Sequence, residues 1–368
     1  MSKAGFVTLL AAALAIRLIL VATSFGSTDA LLLMAYTHLA ERFGIGPAYQ
    51  YGPYLNHPPL SGMIMIAADQ LGRRIGLEFP DIFRLFQIVA DCLTAFFLYK
   101  LSKSREVVAF FFVSPAAIFL SGFHCNADPT MMALLVAAVW TSSGILFGAA
   151  SGIKIAPLPL LPFFLIGMHL QRAALFLTGA TAVLTMIFVP AVITGGLTVL
   201  RNVFLYPGSG YEWGFSGLGF LLNSPAWAQL YAHYGRYVVI IALACLFVFY
   251  WKRRAPLPAM IGVALLTMNF FSPAFGVQYL VWPLPFLIFA MPRRLAYTLN
   301  GMLSLFLYAT YTIWSRQFPW WFADAAALDV NRHLIALLAV PLWLMYGYAI
   351  IAAMVVTKRM TPMRNDIG

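Results

Sequence analysis

GFVTLLAAALAIRLILVATS, residues 5–24, is an apolar run long enough to cross a bilayer as one helix. Lys3 precedes it and no small-residue cleavage site follows, so it reads as an uncleaved signal anchor rather than a removable leader. Directly after it comes STDALLLMAYTHLAERFGIGPAYQYGPYLNHPPL, residues 27–60, which opens with an acid, Asp29, where a membrane helix would end. A carboxylate is costly in hydrocarbon and cheap at the water boundary, so Asp29 is expected charged at the surface. Leu32, Tyr36, Leu39 and Phe43 then recur at helical spacing, with His38, Glu41 and Arg42 on the other side. That pattern predicts an amphipathic helix lying on the membrane. Gly44, Gly46, Pro47, Gly52 and Pro53 break it, and Pro58 and Pro59 start a second interfacial helix over 60–71.

The rest of the 368-residue chain is of one kind with its first span. It is 62% hydrophobic and 10% charged, with mean hydropathy +0.85. Such runs are satisfied in lipid as helices that close their own backbone hydrogen bonds, and the absence of alternating segments excludes a β-barrel. The fold class is therefore an all-α multi-pass membrane protein, with about 11–12 membrane helices including a short re-entrant-like pair. A net charge of +11 would point to nucleic acid in a soluble protein. Here the basic residues sit in short loops and set topology instead, so nucleic acid is not an expected partner. Cys92, Cys125 and Cys245 have neither disulfide nor zinc spacing.

Basic punctuation follows alternate spans: Lys100, Lys103 and Arg105; Arg172; Lys252, Arg253 and Arg254; Arg293 and Arg294; Lys358, Arg359 and Arg364. Both termini are thus expected in the cytoplasm, with a first outer loop over 25–80 and a second, aromatic one over 195–235. Further spans are expected from Asp81 to Lys100, Val107 to Ser121, Asp128 to Trp140, Ala173 to Ile193, Tyr237 to Trp251, Leu257 to Phe271, Leu280 to Met291, Leu295 to Trp314 and Leu334 to Val356. Between Ser143 and His169, SGIKIAPLPLLP is too broken for two ordinary spans and predicts two short helices meeting near Lys154. No repeat or soluble domain is evident, so residues 1–368 read as a single membrane domain.

Asp29 and Asp128 each stand at the outer end of a predicted helix, and each has a nearby histidine, His57 or His124. Such pairs suit removal of a proton from a hydroxyl beside a departing anion. Either acid could instead be a helix N-cap, and either histidine an ordinary interfacial hydrogen-bonding group. Asp29 and Asp128 also have the ligand type for a divalent cation, without supporting spacing. Lys154 needs a partner in its apolar hairpin, and a phosphate would serve; the alternative is snorkelling. Arg84, Arg201 and Arg236 are further cations near the outer loops. The aromatics Tyr279 and Trp282 fit an interfacial belt or sugar stacking.

Together these residues resemble the lipid-phosphate-sugar-dependent glycosyltransferases of the GT-C superfamily. The resemblance rests on Asp29 after the first span, YLNHPPL over 54–60, NADP over 126–129, GIKIAPLPLLP over 152–162 and SPAFGVQYLVWPLP over 272–285. It implies inverting transfer of a hexose, mannose first, from a polyprenyl-phosphate donor to a lipid-linked or glycan acceptor. The transfer would take place on the periplasmic face of a bacterial plasma membrane, in contact with membrane lipids. Asp29 would be the general base. Tyr54, His57, Arg84, Lys154, Arg236, Gln278 and Tyr279 would bind the donor phosphate and sugar, and Asp128 with His124 would serve the acceptor. No cofactor is implied as required, a divalent cation at the two acids being the one option. The competing class is a multi-pass transporter or a lipid or oligosaccharide flippase, for which a broken hairpin with a buried lysine is equally good material.

Overall fold

The computed structural model describes residues 2–52, 55–206, 212–274, 276–322 and 331–357, and every regular element among them is helical. In chain order these are α1 (Lys3–Thr23), α2 (Thr28–Phe43), α3 (Ile45–Ala48), α4 (Pro59–Ile75), α5 (Phe79–Ser102), α6 (Arg105–Phe112), α7 (Pro115–Phe119), α8 (Asp128–Thr141) and α9 (Gly144–Ile153). They continue as α10 (Leu161–Leu165), α11 (Leu170–Gly195), α12 (Thr198–Phe204), α13 (Gly214–Leu221), α14 (Pro225–Arg253), α15 (Leu257–Phe271), α16 (Leu284–Ala290), α17 (Arg293–Ser315) and α18 (Arg332–Thr357). Helices α1, α5, α11, α14 and α18 have 21 to 29 residues and the hydropathy to cross a membrane. A sixth is reached if α6 and the stretch Pro115–His124, bent by 50°, count as one span.

This is an all-α membrane protein, with fewer full-length spans than the expected eleven or twelve. Pro115 ends the third span early by removing a backbone donor, leaving α7 and a π-helical turn over Leu120–His124 beyond the bend. Helices α8, α9 and α15 and the segment Val277–Ala290 are apolar but only 10–17 residues long. Helix α17 has the length, yet Arg293, Arg294 and Asn300 lower its hydropathy. The polar stretch from 195 onward, expected as a loop, instead contains α12, α13 and the first three turns of α14. Ser224 caps α14 and Pro225 opens it, so that helix starts well before Tyr237.

By contacts the chain divides into two compact units, the first made of Met1–Leu158, Gln171–Tyr206 and Trp314–Asp329, the second of Pro159–Leu170, Pro207–Ile313 and Val330–Gly368. In the first, α5 lies among α1, α4, α6 and α8. Its buried face carries polar residues at helical spacing: Arg84, Gln87, Asp91 and Thr94. Asp91 pairs with Arg17 of α1 at 3.0 Å, both essentially out of solvent. Arg17 also donates to Ser121 Oγ (2.9 Å) and to the carbonyl of Phe112 (2.9 Å), the last residue of α6. A carbonyl orphaned by the bend at Pro115 thus finds its donor on another helix. Helix α9 packs on α11 through Gly144 and Gly148, where a Cβ would run into the carbonyls of Phe176 and Ala180.

Helix α2 is amphipathic, but its inward face differs from the expected one. Ala30, Leu33, Tyr36, Thr37 and Ala40 are buried, while Leu32 and Phe43 point out. Ala30, Thr37 and Ala40 let α2 approach its neighbours closely around Leu33 and Tyr36, and Leu31 and Leu32 are left on the outward side. Helix α4 begins at Pro59 as expected but runs to Ile75. Arg73, near its end, reaches Glu41 of α2 with both terminal nitrogens (2.6 and 2.9 Å) and also pairs with Asp69.

In the second unit, the last carbonyls of α15 are satisfied by aromatic donors. Trp213 Nε1 donates to Asn269 O (2.7 Å), Trp343 Nε1 to Phe270 O (3.0 Å) and Tyr231 Oη to Phe271 O (2.9 Å). These come from the start of α13, from α18 and from α14, so one helix end gathers three others. Asn269 Nδ2 and Tyr346 Oη donate to the carbonyls of Tyr279 (2.6 Å) and Leu280 (2.8 Å), fixing the 3₁₀ turn Val277–Val281.

Candidate active site

The first unit brings two junctions together: residues 24–29, running from the end of α1 into the first residues of α2, and residues 122–128, running from the π-helical turn into the first residue of α8. Gly26 makes the approach possible, because with φ +103° its Cβ position would lie 2.9 Å from Phe123 O. Ser27 then ties the turns. Its hydroxyl donates to His124 O at 2.5 Å and accepts from the Asp29 N–H at 3.2 Å.

Ser27 is therefore the N-cap of α2, and Asp29 is the second helical residue, its carboxylate not used for capping. Instead Oδ2 accepts from Asn126 Nδ2 at 2.7 Å and lies 3.4 Å from His124 Nε2. Asn126 is fixed in turn by accepting from the Ala127 N–H at 2.7 Å. Asn126 and His124 are buried, whereas the Asp29 side chain is 28% exposed. Its Oδ1 accepts nothing from the described residues. The result is an acid held at one oxygen, its side chain partly exposed.

Capping does not account for Asp128 either. Ala127 holds the N-cap position of α8 without a side-chain bond, and the fully buried Asp128 carboxylate pairs with Lys154 Nζ at 2.8 Å. Lys154 sits in extended backbone just after α9, its side chain 10% exposed. The partner that Lys154 was expected to need is thus a residue of the chain itself. The HPPL turn meets this bend. Ser61, in the first turn of α4, donates to Ile153 O at 2.6 Å, and Leu60 packs against Gly152.

His57 is half-buried in that turn, its carbonyl bonded by Tyr49 Oη. Burial, with the Lys154 ammonium opposing a second positive charge, pushes its imidazole down to about 4, against the partial pull of Asp128 and Asp29. At neutral pH it is an uncharged ring able to donate one N–H and accept at the other nitrogen.

Arg84 is not open to a ligand as the sequence led one to expect. Its guanidinium is fully buried and donates to Ser24 O (2.7 Å), Ser24 Oγ (2.9 Å), Pro80 O (3.0 Å), Gly122 O (3.3 Å) and Asp81 Oδ1 (2.9 Å). It closes the carboxyl end of α1 and lies beneath both turns, as a clasp rather than a phosphate cation. Arg236, expected beside a loop, is exposed within α14 and rests on the ring of Tyr237, 5.1 Å from its centroid. Gln278 and Tyr279 belong to the second unit, half-buried in the 3₁₀ turn, with Tyr279 against Trp282 at 4.4 Å. Tyr54 lies outside the described residues. Among these residues, no three His, Cys, Asp or Glu side chains form a set that could hold a metal ion.

Sequence reading missed Ser27 as a cap, Asn126 as the donor to Asp29, and the Arg17–Asp91 pair. The last had a signal: opposite charges inside two apolar spans. Compared with protein-family models and with curated proteins, the chain matches none.

Proposed function

We propose that this protein is an integral-membrane glycosyltransferase of the GT-C type that moves a hexose, mannose first, from a polyprenyl phosphate to a lipid-linked or glycan acceptor. Transfer is inverting and takes place on the periplasmic side of a bacterial plasma membrane. The observation that carries the reading is the Asp29 carboxylate, relieved of capping by Ser27, held at Oδ2 by Asn126, with its side chain 28% exposed. Oδ1 takes the proton of the acceptor hydroxyl as that oxygen attacks the anomeric carbon and the polyprenyl phosphate leaves. Lys154, placed by Asp128, supplies the cation that the leaving phosphate needs, and neutral His57 supplies an N–H. Tyr54 stays on the donor side as the resemblance implies, while the guanidinium of Arg84 is committed to oxygens of the chain itself.

The test is Asp29→Asn, assayed with radiolabelled polyprenyl-phosphate mannose and glucose and extracted lipid acceptors. Because Ser27 caps through the Asp29 backbone, the amide leaves α2 intact. An amide cannot take a proton, so transfer is expected to fall at least about a hundredfold at unchanged expression. A folded variant transferring within a few-fold of wild type would refute the assignment.

A further inference from the structure

Helix α8 carries Asp128 as its first residue, yet nothing local caps it: Ala127 has no side-chain acceptor, and Pro129 has no N–H to be satisfied. The Thr130 N–H is left over. It is met from another helix, for Gln87 of α5 accepts at Oε1 both the Thr130 N–H (3.2 Å) and its hydroxyl (2.8 Å). Gln87 is fully buried, and its Nε2 finds no hydrogen-bond partner among the described residues. Leaving a buried donor unmet is unfavourable, so packing alone would favour leucine or methionine at this site. Only the acceptor oxygen gives a glutamine something to do there.

One helical turn earlier on the same face of α5 stands Arg84, beneath the turns that display Asp29 and His124. The two acids are thus registered by side chains of a single helix.

We infer that Gln87 is a positioning residue: it caps α8 across the helix interface and so sets Asp128 and, through it, Lys154. This rests on the transferase reading for its catalytic consequence, but not for its structural one. It is tested on the full chain in lipid nanodiscs with Gln87→Met, which keeps the volume and removes the acceptor, and Gln87→Glu, which restores an acceptor oxygen. Hydrogen exchange resolved to Thr130 is expected to quicken about tenfold or more in Gln87→Met, to return toward wild type in Gln87→Glu, and to stay unchanged in α9. Sugar transfer by Gln87→Met is expected to show kcat lowered about tenfold with donor KM within about threefold, and Gln87→Glu to recover most of it. Unchanged Thr130 exchange in a folded Gln87→Met protein overturns the cap whatever the activity. Quickened exchange at wild-type kcat overturns its role in positioning. Absence of transfer by the wild-type protein counts against the transferase reading alone, and exchange at Thr130 then decides for or against the cap.

Discussion

Replacing Lys154 by methionine keeps the unbranched stem and removes the ammonium, and the structure fixes what this does. Asp128 is left with its side chain fully buried and its partner at 2.8 Å gone. Breaking a buried pair by removing one member costs about 3–5 kcal/mol, whereas replacing both members by apolar residues of similar size is near neutral or stabilising by about 1–4 kcal/mol. Lys154→Met alone should therefore destabilise strongly, and Asp128→Leu with Lys154→Met should recover most of the loss. For 368 residues, 1 kcal/mol corresponds to roughly 1–2 °C in the unfolding midpoint, so the single variant should melt about 3–10 °C lower. Cys125 offers the probe, being buried next to the site, while Cys92 and Cys245 are exposed and can be replaced by serine. A thiol-reactive dye then reports opening of this region as the sample is heated. Equal midpoints for wild type and Lys154→Met, or a double variant no more stable than the single, would refute the buried pair and leave Lys154 as a snorkelling cation.

His57 gives a pH signature. Its folded value of about 4 lies below the 6.5 of an ordinary imidazole, so between the two the unfolded chain binds more protons. The stability it contributes is complete above pH 6.5 and is lost as pH falls toward 4, and His57→Gln should flatten that limb of a midpoint-versus-pH curve; an unchanged limb would count against the burial. Arg17→Lys keeps the charge but cannot reach Asp91, Ser121 and the Phe112 carbonyl together. It should cost about 1–3 kcal/mol, read as a lower midpoint with no change in donor KM.

Hydropathy located the long helices well because an uninterrupted apolar run has one way to satisfy its backbone in lipid. Helix α15 falls on its predicted residues, 257–271, and α1, α5 and α18 within a few residues of theirs. Which face of a helix turns inward was harder to read, since lipid and protein interior are equally apolar. In α2, Leu33 went in with Tyr36 and three small residues, while Leu32 stayed out. The acids were legible as out of place, but their partners were not. Asn126 is 97 residues from Asp29, Lys154 is 26 from Asp128, and no periodicity connects them. Arg84 was hard to read because a cation near a predicted outer end looks the same in sequence whether it faces a ligand or seven carbonyl and side-chain oxygens.

The Arg17–Asp91 pair also bears on how the chain is made. Arg17 is synthesised before its counter-ion, which follows 74 residues later in the chain. In the interval the translocon handles an apolar segment of mean hydropathy 2.4 with an unmatched guanidinium near its middle, a residue that costs about 2.5–3.5 kcal/mol at a helix centre. The leucines and alanines around it outweigh that cost, so the segment can enter the bilayer, but its seat there is provisional. Only when α5 emerges and delivers Asp91 does α1 acquire a fixed rotation about its own axis. Because Arg84 of the same helix clasps the end of α1, the arrival of α5 sets both the angle and the depth of the first span in one event.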